Sequence, residues 1–425
     1  MKVSPKNSSR LAGSLLRNRN FLIWLTGRNL SAWGDAIYTI ALLWFVYQDT
    51  HSVVATALVS GIQRLGNVLG GPLAGVYVDR WDRRRTMQGV TLVNMAVVLI
   101  LAILAFGHVL TIWPIYAAVF VLSGIGMLSG PAAHSILSRI LMRDELASGN
   151  GLLRSVGAAN GFFSQSAGGL VVGAVGAAAS FLLDAGSFIF ALAGYWLLTL
   201  PQEPLVAPNL GEPAPRRRFW RDLEDGWTAL RQDGLMLTLA IWAFMGTLGG
   251  GAVGALLPVV VFRTLHGGPT ELGMVEGASI LGSVGGGLLT GWIAQRFSVG
   301  HVLVGSGAVM VFSLALFCVS HDLGLSLGVY ALAGLGQTTL NSSLDAFFQA
   351  TVSPELMGRT FGILGTIENS AGPPAAMAAG VLSGIWGPGP IMAVGGLWMA
   401  ISGVLLIFNH RAMATRMTGI TATPD

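Results

Sequence analysis

Long apolar stretches alternate with short polar gaps along most of the chain. Twelve of these stretches hold about 20 residues or more, which is the length that an α-helix needs to cross the roughly 30 Å hydrocarbon layer of a membrane. They lie at about 21–47, 53–77, 86–107, 111–133, 151–174, 177–199, 235–262, 271–294, 299–319, 323–348, 360–386 and 388–409. The pattern therefore predicts an all-α membrane protein with twelve transmembrane helices.

One gap is longer than the others and divides the spans into two sets of six. Residues 200–234 contain several prolines and an arginine cluster at 216–218, which is typical of a linker. Apolar residues recur at helical spacing over 219–230, so we predict an amphipathic helix there, on the inner face of the membrane. The predicted domains are an N-terminal six-helix bundle at 1–200, a cytoplasmic linker with this helix at 201–234, and a C-terminal six-helix bundle at 235–425.

The two predicted bundles resemble each other in sequence. Gly71–Arg80 aligns with Gly287–Arg296, and Ala167–Gly173 aligns with Ala378–Gly384 at a nearly equal separation. Weak similarity at half the chain length indicates duplication, and duplicated membrane bundles usually enclose a path between their halves. We therefore expect the two bundles to be pseudo-symmetric.

The distribution of charge along the chain predicts how the protein is oriented in the membrane. Hydrophobic residues make up 53% of the chain and charged residues 10%, and the arginines fall mostly in the gaps between spans. Arginine-rich short loops stay on the cytoplasmic side. We therefore predict a multi-pass protein of a bacterial-type plasma (inner) membrane with both termini in the cytoplasm. The same distribution argues against a nucleic-acid partner.

Few residues suit a metal, a cofactor or covalent catalysis. Cys318 is the single cysteine, and the seven histidines are scattered without paired spacing. No nucleotide-binding loop of the GxxxxGK[ST] kind occurs in the sequence. We predict no metal, no cofactor and no catalytic residues, and hence a protein that is not an enzyme. We expect a monomer.

Three charges fall inside the first two predicted spans. Asp35 lies near the middle of the first span, and Arg28 precedes it by seven residues, which is about two helical turns on the same face. Arg64 reaches a similar depth in the second span, which runs the opposite way. Charges in such places are costly and are usually functional. We predict that Asp35, Arg64 and Arg28 couple protons or substrate to transport, with an Asp35–Arg64 pair at the centre. A permanent structural ion pair is the alternative.

The second half contributes further acids. Glu276 and Glu368 lie some way inside the eighth and eleventh spans, where each suits a second proton site or a contact for a cationic substrate. A half-solvated place near a helix end is the alternative for both. Asp184 and Asp345 lie nearer segment ends, and we interpret them as members of local pairs.

Several uncharged side chains suit the wall of a substrate path. Aromatic and thioether groups favour broad, apolar substrates, and amide groups supply hydrogen bonds. The candidates are Trp242, Phe244, Met245, Gln337 and Asn341. Contacts with lipid or with a neighbouring helix explain such residues as well.

The arginine-rich gap after the second span resembles the cytoplasmic loop signature of the major facilitator superfamily. Gly75, Asp79, Arg80, Arg83 and Arg84 stand at the positions of that signature. Three further pieces resemble the branch of enterobactin and macrolide exporters: Ser31–Asp35, Gly130–Ala132 and Pro354–Arg359.

The resemblance implies a transporter that rocks between inward- and outward-facing states around a site at mid-membrane. It implies that Asp79 faces the amino end of the eleventh helix, where a carboxylate is favoured. It also implies that the arginines of the signature latch the cytoplasmic side shut. We assign this cytoplasmic gate to Gly75, Asp79, Arg80, Arg83, Arg84 and Arg359.

These observations predict a secondary active transporter. We expect proton-coupled efflux of a small amphipathic molecule (a drug, a macrolide or a siderophore) by alternating access. The expected partners are this small molecule, protons and the lipid bilayer. An uptake symporter or facilitator for a small nutrient is the alternative, and a membrane sensor that transports nothing is a third.

Overall fold

The structure is a computed structural model that describes residues 15, 17–78, 81–142, 145–199, 234–294, 296–351 and 354–408. The linker predicted at 201–234, with its amphipathic helix, lies almost wholly outside this part of the chain. All regular elements among the described residues are α-helices. In chain order they are α1 Arg19–Thr50, α2 Val53–Val78, α3 Arg83–Phe106, α4 Ile112–Gly126, α5 Ser129–Ile140, α6 Leu146–Leu197, α7 Gly234–Arg263, α8 Pro269–Ala294, α9 Val299–Val319, α10 Leu323–Thr351, α11 Pro354–Trp386 and α12 Pro388–Phe408.

The predicted fourth span is longer than expected and is divided in two. The span predicted at 111–133 corresponds to α4 and α5, which together continue to Ile140. The new helix starts at Ser129, so that Pro131 falls in its first turn. A proline is tolerated there because the N–H that it lacks has no partner within the helix in any case. The sequence-based boundary at 133 was therefore too early.

Helix α6 is long because it contains two of the predicted spans. Its 52 residues would extend for about 78 Å if straight, far more than the membrane thickness. The helix breaks at Gly176, whose φ of 78° and ψ of 172° are not helical. Glycine adopts this backbone geometry without strain because it has no Cβ. The break lies between the spans predicted at 151–174 and 177–199.

Nine helical segments of the described residues are long and apolar enough to cross a membrane. Two of them, Ile112–Ile140 and Ser148–Leu197, combine elements across the break points just described. An all-α membrane protein is confirmed, while the count of twelve crossings stays a prediction.

The chain forms two compact units. Unit 1 consists of residues 1–46 and 65–210, and unit 2 of residues 47–64 and 211–425. Helices α1 and α2 are thus each divided between the two units. The domain boundaries predicted at 200 and 235 flank residues that the structure does not describe, so they stay a prediction.

Unit 1 is built around α3 and α6. Helix α3 packs against α6, α5 and α4. A buried apolar cluster fills the space near the start of α1, with Phe21, Trp24 and Ile136 among its members. Glycines bring α1 close to α6: a Cβ added to Gly27 would lie 3.3 Å from the carbonyl oxygen of Phe190. The first half of α1 is therefore held directly against the second half of α6.

Unit 2 is built from α7 to α12 together with the segment 47–64. The main helix pairs are α8 with α10, α9 with α10, α7 with α12 and α7 with α11. The segment 47–64 packs on α11, since a Cβ on Gly380 would lie 2.9 Å from the side chain of Ala57. Burial of apolar side chains in unit 2 is most continuous over 255–262 of α7. This part of α7 is therefore the best-packed strip of the unit.

Candidate transport site

Asp35 lies in the middle of α1, sixteen residues after Arg19 and fifteen before Thr50. Its side chain is exposed. Arg28 is also exposed. It precedes Asp35 by seven residues, so it lies about 10 Å nearer the start of the helix. The guanidinium carbon of Arg28 lies 5.7 Å from the centroid of the Trp24 ring, within the range of a cation–π contact. Arg28 is close enough to Asp35 for the two charges to interact.

Asp184 of α6 lies directly beside the backbone that precedes Asp35. A Cβ added to Gly34 would overlap both Oδ1 of Asp184 and Oγ of Ser187. The Asp184 side chain is 1% exposed, and the two carboxyl groups of Asp35 and Asp184 interact electrostatically. The sequence-based interpretation of Asp184 as a member of a local pair stays a prediction. The acid that interacts with it is Asp35 on another helix, and Asp184 lies eight residues beyond Gly176 in α6.

Polar side chains continue this arrangement within unit 1. The Trp33 indole N–H donates a hydrogen bond to Oδ1 of Asn160, and the Asn160 amide donates to the backbone carbonyl of Asn29 at 3.5 Å. Tyr38 lies one turn beyond Gly34 on α1, with its ring centroid 5.8 Å from that of Phe181. Together these contacts fix the register between α1 and both halves of α6.

Arg64 belongs to unit 2 and lies against two glycines. A Cβ on Gly254 of α7 would lie 3.3 Å from one guanidinium nitrogen, and a Cβ on Gly372 of α11 would lie 3.1 Å from the other. The Arg64 side chain is half-buried. The absence of side chains at both positions provides the space in which this large cation lies. The predicted Asp35–Arg64 pair would join the two units and stays a prediction.

Glu276 of α8 is half-buried in unit 2 and interacts electrostatically with Tyr330 of α10. The Tyr330 ring is itself packed on Phe317, with ring centroids 4.9 Å apart. Glu276 therefore lies at the packed contact of α8 and α10. Glu368 falls in a part of α11 whose side chains lie outside the described residues, and so its role stays a prediction.

The candidates for the substrate wall differ in accessibility. Trp242 is buried, at 9% exposure, whereas Phe244 two residues later is 40% exposed. Met245 is half-buried, and Gln337 and Asn341 on α10 are exposed. Exposure leaves Phe244, Gln337 and Asn341 available for contact with a solute. Their role as substrate wall stays a prediction.

No metal centre is formed among the residues that the structure describes, since no three His, Cys, Asp or Glu side chains come together there.

Comparison with known families decides what these two helical units are. A family model described as "Major Facilitator Superfamily" matches residues 25–376, which is most of the chain. The chain belongs to the Major Facilitator Superfamily. The resemblance inferred from the loop signature is confirmed. As a member of this superfamily, the protein is a membrane transporter and not an enzyme.

Named relatives of this Major Facilitator Superfamily chain match it over nearly its whole length. "Macrolide efflux protein A" from Streptococcus pyogenes is 24% identical over 396 residues, covering 91% of this chain and 93% of the relative. "Multidrug efflux pump Tap" from Mycolicibacterium fortuitum is 24% identical over 399 residues, covering 89% of this chain and 92% of the relative. The crystal structure of nucleoside transporter NupG superposes with a TM-score of 0.71 over 93% of this chain and 99% of that one, at 13% identity, which shows a shared fold.

The superfamily's cytoplasmic loop signature is described only in part. Asp79 and Arg80 lie outside the described residues, as do the side chain of Arg359 and the surroundings of Gly75. Arg83 and Arg84 begin α3 and are half-buried. One guanidinium nitrogen of Arg84 donates a 2.6 Å hydrogen bond to the carbonyl oxygen of Trp196, at the end of α6.

Asp82 holds the first turn of α3 in place. Its Oδ1 accepts a hydrogen bond from the backbone N–H of Arg85 at 2.8 Å. This is the contact of an N-cap aspartate, which satisfies a backbone donor that the helix leaves free. The sequence analysis assigned no role to Asp82. The signal was present, because an aspartate directly before the first residue of a helix is a common start of a helix.

Proposed function

We propose that this transporter exports a small amphipathic or apolar molecule from the cell and takes up protons in exchange, by alternating access. It would lie in the plasma membrane of a bacterial-type cell, with both termini in the cytoplasm. Membership of the superfamily supports transport. The direction is supported by relatives named for macrolide efflux and for multidrug efflux.

The observation that carries the proton coupling is Asp35, an exposed acid at the middle of a membrane-spanning helix. A charged group at this depth is expensive in contact with lipid, and such groups usually face water or other protein groups. An exposed carboxyl group that water reaches can gain and lose a proton. Arg28 on the same helix is close enough to interact with it.

The substrate class is inferred from the side chains near mid-depth of α7. Phe244 offers an exposed aromatic ring and Met245 a flexible thioether, and such groups adapt to apolar ligands of different shapes. Gln337 and Asn341 of α10 would add hydrogen bonds. A macrolide, a siderophore or a lipophilic cation presents the mixture of apolar and polar surface that these groups suit.

The experiment uses everted membrane vesicles that contain the full chain and hold an acidic interior, reported by a pH-sensitive dye. A macrolide such as erythromycin, a catecholate siderophore and tetraphenylphosphonium are added in turn. A proton-coupled exporter would carry a substrate into the vesicle and protons out, so the dye signal would recover. Vesicles with an empty vector are the control.

Movement of labelled probe into or out of the vesicles distinguishes export, facilitated diffusion and uptake symport. Accumulation that an uncoupler abolishes supports proton-driven export. Entry that continues to equilibrium after the uncoupler has collapsed the gradient would show a facilitator instead. Loss of preloaded probe from everted vesicles, driven by the gradient, would show an uptake symporter.

A further inference from the structure

We propose that Asp184 is a second proton-binding residue of unit 1 and that it exchanges its proton with Asp35. This inference rests on the proton-coupled transport proposed above, and it adds a residue on α6 to the machinery.

Asp184 is buried but poorly supplied with hydrogen-bond donors. The Ser187 hydroxyl donates to its Oδ1 at 3.3 Å. Its Oδ2 is shielded from solvent and has no hydrogen-bond partner within the described part of the chain. An ionised carboxylate offers about four acceptor sites, and burying a charge without partners is costly. A structural acid would normally be better satisfied than this.

The acid near Asp184 further disfavours an ionised Asp184 carboxyl group. The acid that acts on it is Asp35, so the two groups form a like-charged pair when both are ionised. Two carboxyl groups that share a site disfavour the doubly charged state. One proton shared between them relieves this repulsion. Movement of the proton from one to the other then changes which of the two is charged.

The groups that face the pair come from α1 and α6. Arg28 and Tyr38 lie on α1 with Asp35, and Tyr195 lies on α6 with Asp184; all of them interact electrostatically with Asp35. Helix α3 also packs on α6, and it has no titratable side chain between Thr86 and Phe106. Arg28 is therefore the cation in this set, and it acts on Asp35.

Tyr38 lies in a position to connect the two acids. It interacts electrostatically with both Asp184 and Asp35, and its buried hydroxyl has no hydrogen-bond partner among the described residues. A tyrosine hydroxyl can donate and accept a hydrogen bond at once. This hydroxyl would pass a proton between them by accepting a proton from one carboxyl group while it donates its own proton to the other.

Close packing keeps the pair together. Gly34 leaves room for the Asp184 and Ser187 side chains that a Cβ would displace. Because Gly34 directly precedes Asp35, the carboxyl group of Asp184 is held against the backbone of α1 next to Asp35. Gly34 thus provides space for the Asp184 side chain against α1. The one cation in this set, Arg28, acts on Asp35.

Infrared difference spectroscopy tests the proposal on the purified full-length protein in detergent. A protonated carboxyl group has a carbonyl-stretch band that an ionised one lacks. A change of buffer from acid to alkaline pH should remove this band from the wild type. Asp184→Asn should lose one component of it and shift the pH at which the Asp35 component disappears. Asp184→Glu should restore a second component.

Asp49→Asn is the matched control, because Asp49 is an exposed acid at the end of the same α1 helix. This variant should leave the bands of the Asp35 and Asp184 carboxyl groups unchanged. Should Asp184→Asn not yield folded protein, Ser187→Ala keeps the carboxyl group and removes its hydroxyl donor, and it should shift the Asp184 component. Identical spectra and titrations for the wild type, Asp184→Asn and Ser187→Ala would overturn the proposal.

The result can be separated from failure of the proposed function. If no probe moves protons in vesicles but the Asp184 component is present and titrates, the coupling is wrong while the proton site stands. If wild-type vesicles show proton-driven export and Asp184→Asn exports as well as the wild type, Asp184 takes no part in coupling and the inference fails alone.

Discussion

At the scale of single residues, Asp35 has a property that no other acid on α1 shares. It lies at the middle of a 32-residue helix and is exposed there, whereas Asp49 lies at the end of the helix. A charge that is tolerated in the middle of a membrane helix has to be in contact with water or with other polar groups. The position therefore suits a group whose charge changes during the transport cycle.

We expect Asp35→Asn to abolish proton-driven export, because asparagine has the same shape but cannot take up a proton in this range. The loss should be about 100-fold or more, the smallest effect usual for removing a proton-transferring side chain. Accumulation of labelled probe in everted vesicles measures it. Asp49→Asn is the control and should export as the wild type does. A normal dye response from Asp35→Asn would remove Asp35 from the mechanism.

Asp35 and Arg28 could be found from sequence because depth and helical phase need only one helix. Asp184 could not. Its importance comes from Gly34 on α1, and the register between two helices 150 residues apart is not contained in the hydropathy of either. Arg64 illustrates the same limit, since its contacts with Gly254 and Gly372 depend on three helices meeting. Sequence reasoning found the charges but not the surroundings of each.

At the scale of elements, the contact of α8 and α10 shows why glycine is so frequent in this chain. A Cβ on Gly282 would overlap the carbonyl group of Ala331, and a Cβ on Gly286 would lie 2.5 Å from the carbonyl oxygen of Leu335. From the other side, a Cβ on Gly334 would overlap the backbone of Ser279. Small residues on both helices let their backbones come into direct contact, which is a common way of joining membrane helices.

Alanine substitution along α8 should therefore have opposite effects at two positions. Alanine favours a helix over glycine by about 1 kcal/mol, so Gly291→Ala, with nothing near its added methyl group, should be neutral or stabilising. Gly282→Ala should lower the free energy of unfolding by about 1–3 kcal/mol, the usual cost of forcing an extra group into a packed contact. Thermal unfolding in detergent compares them. Equal melting temperatures would show that α8 and α10 do not pack through Gly282.

The start of α3 gives a second test on a single element. Asp82→Ala should lower stability by about 1 kcal/mol, because the N–H of Arg85 loses its hydrogen-bond acceptor. Asp82→Ser keeps a capping oxygen and should retain most of the stability. Limited proteolysis within the loop before α3, with thermal unfolding beside it, measures both variants. If Asp82→Ser is as unstable as Asp82→Ala, the negative charge near the arginines matters more than the cap.

The ends of elements were predicted less well than their existence. Apolar length alone located the helices, because a membrane requires about 20 apolar residues whatever their order. The fourth span extends beyond its predicted end because a new helix, α5, begins at Ser129, two residues before Pro131. Hydropathy does not distinguish a continuing helix from a restarted one. Gly176, in contrast, could be predicted as a break, because an unbroken α6 would be far too long for the membrane.

At the scale of the whole molecule, the distribution of arginine predicts which side of the membrane the loops around α3 occupy. Arg83, Arg84 and Arg85 begin α3, and no basic residue occurs from Thr86 to the end of that helix at Phe106. Its 24 residues extend for about 36 Å, which is enough to cross the hydrocarbon layer once. The two ends of α3 should therefore lie on opposite sides of the membrane, with the arginines in the cytoplasm.

Two positions that flank α3 make this orientation testable in one experiment. Trp81, before the helix, is 50% exposed, and Val109, after it, is 61% exposed. Cys318 is the single cysteine, so Cys318→Ser provides a background that thiol reagents do not label. In that background we expect a membrane-impermeant maleimide to label Val109→Cys in spheroplasts and Trp81→Cys in everted vesicles. The positive-inside rule gives this direction, because moving three arginines across the membrane is strongly disfavoured. Labelling of both positions from one side would mean that α3 does not cross the membrane. The reversed pattern would place the loop signature outside the cell, where it could not act as a cytoplasmic gate.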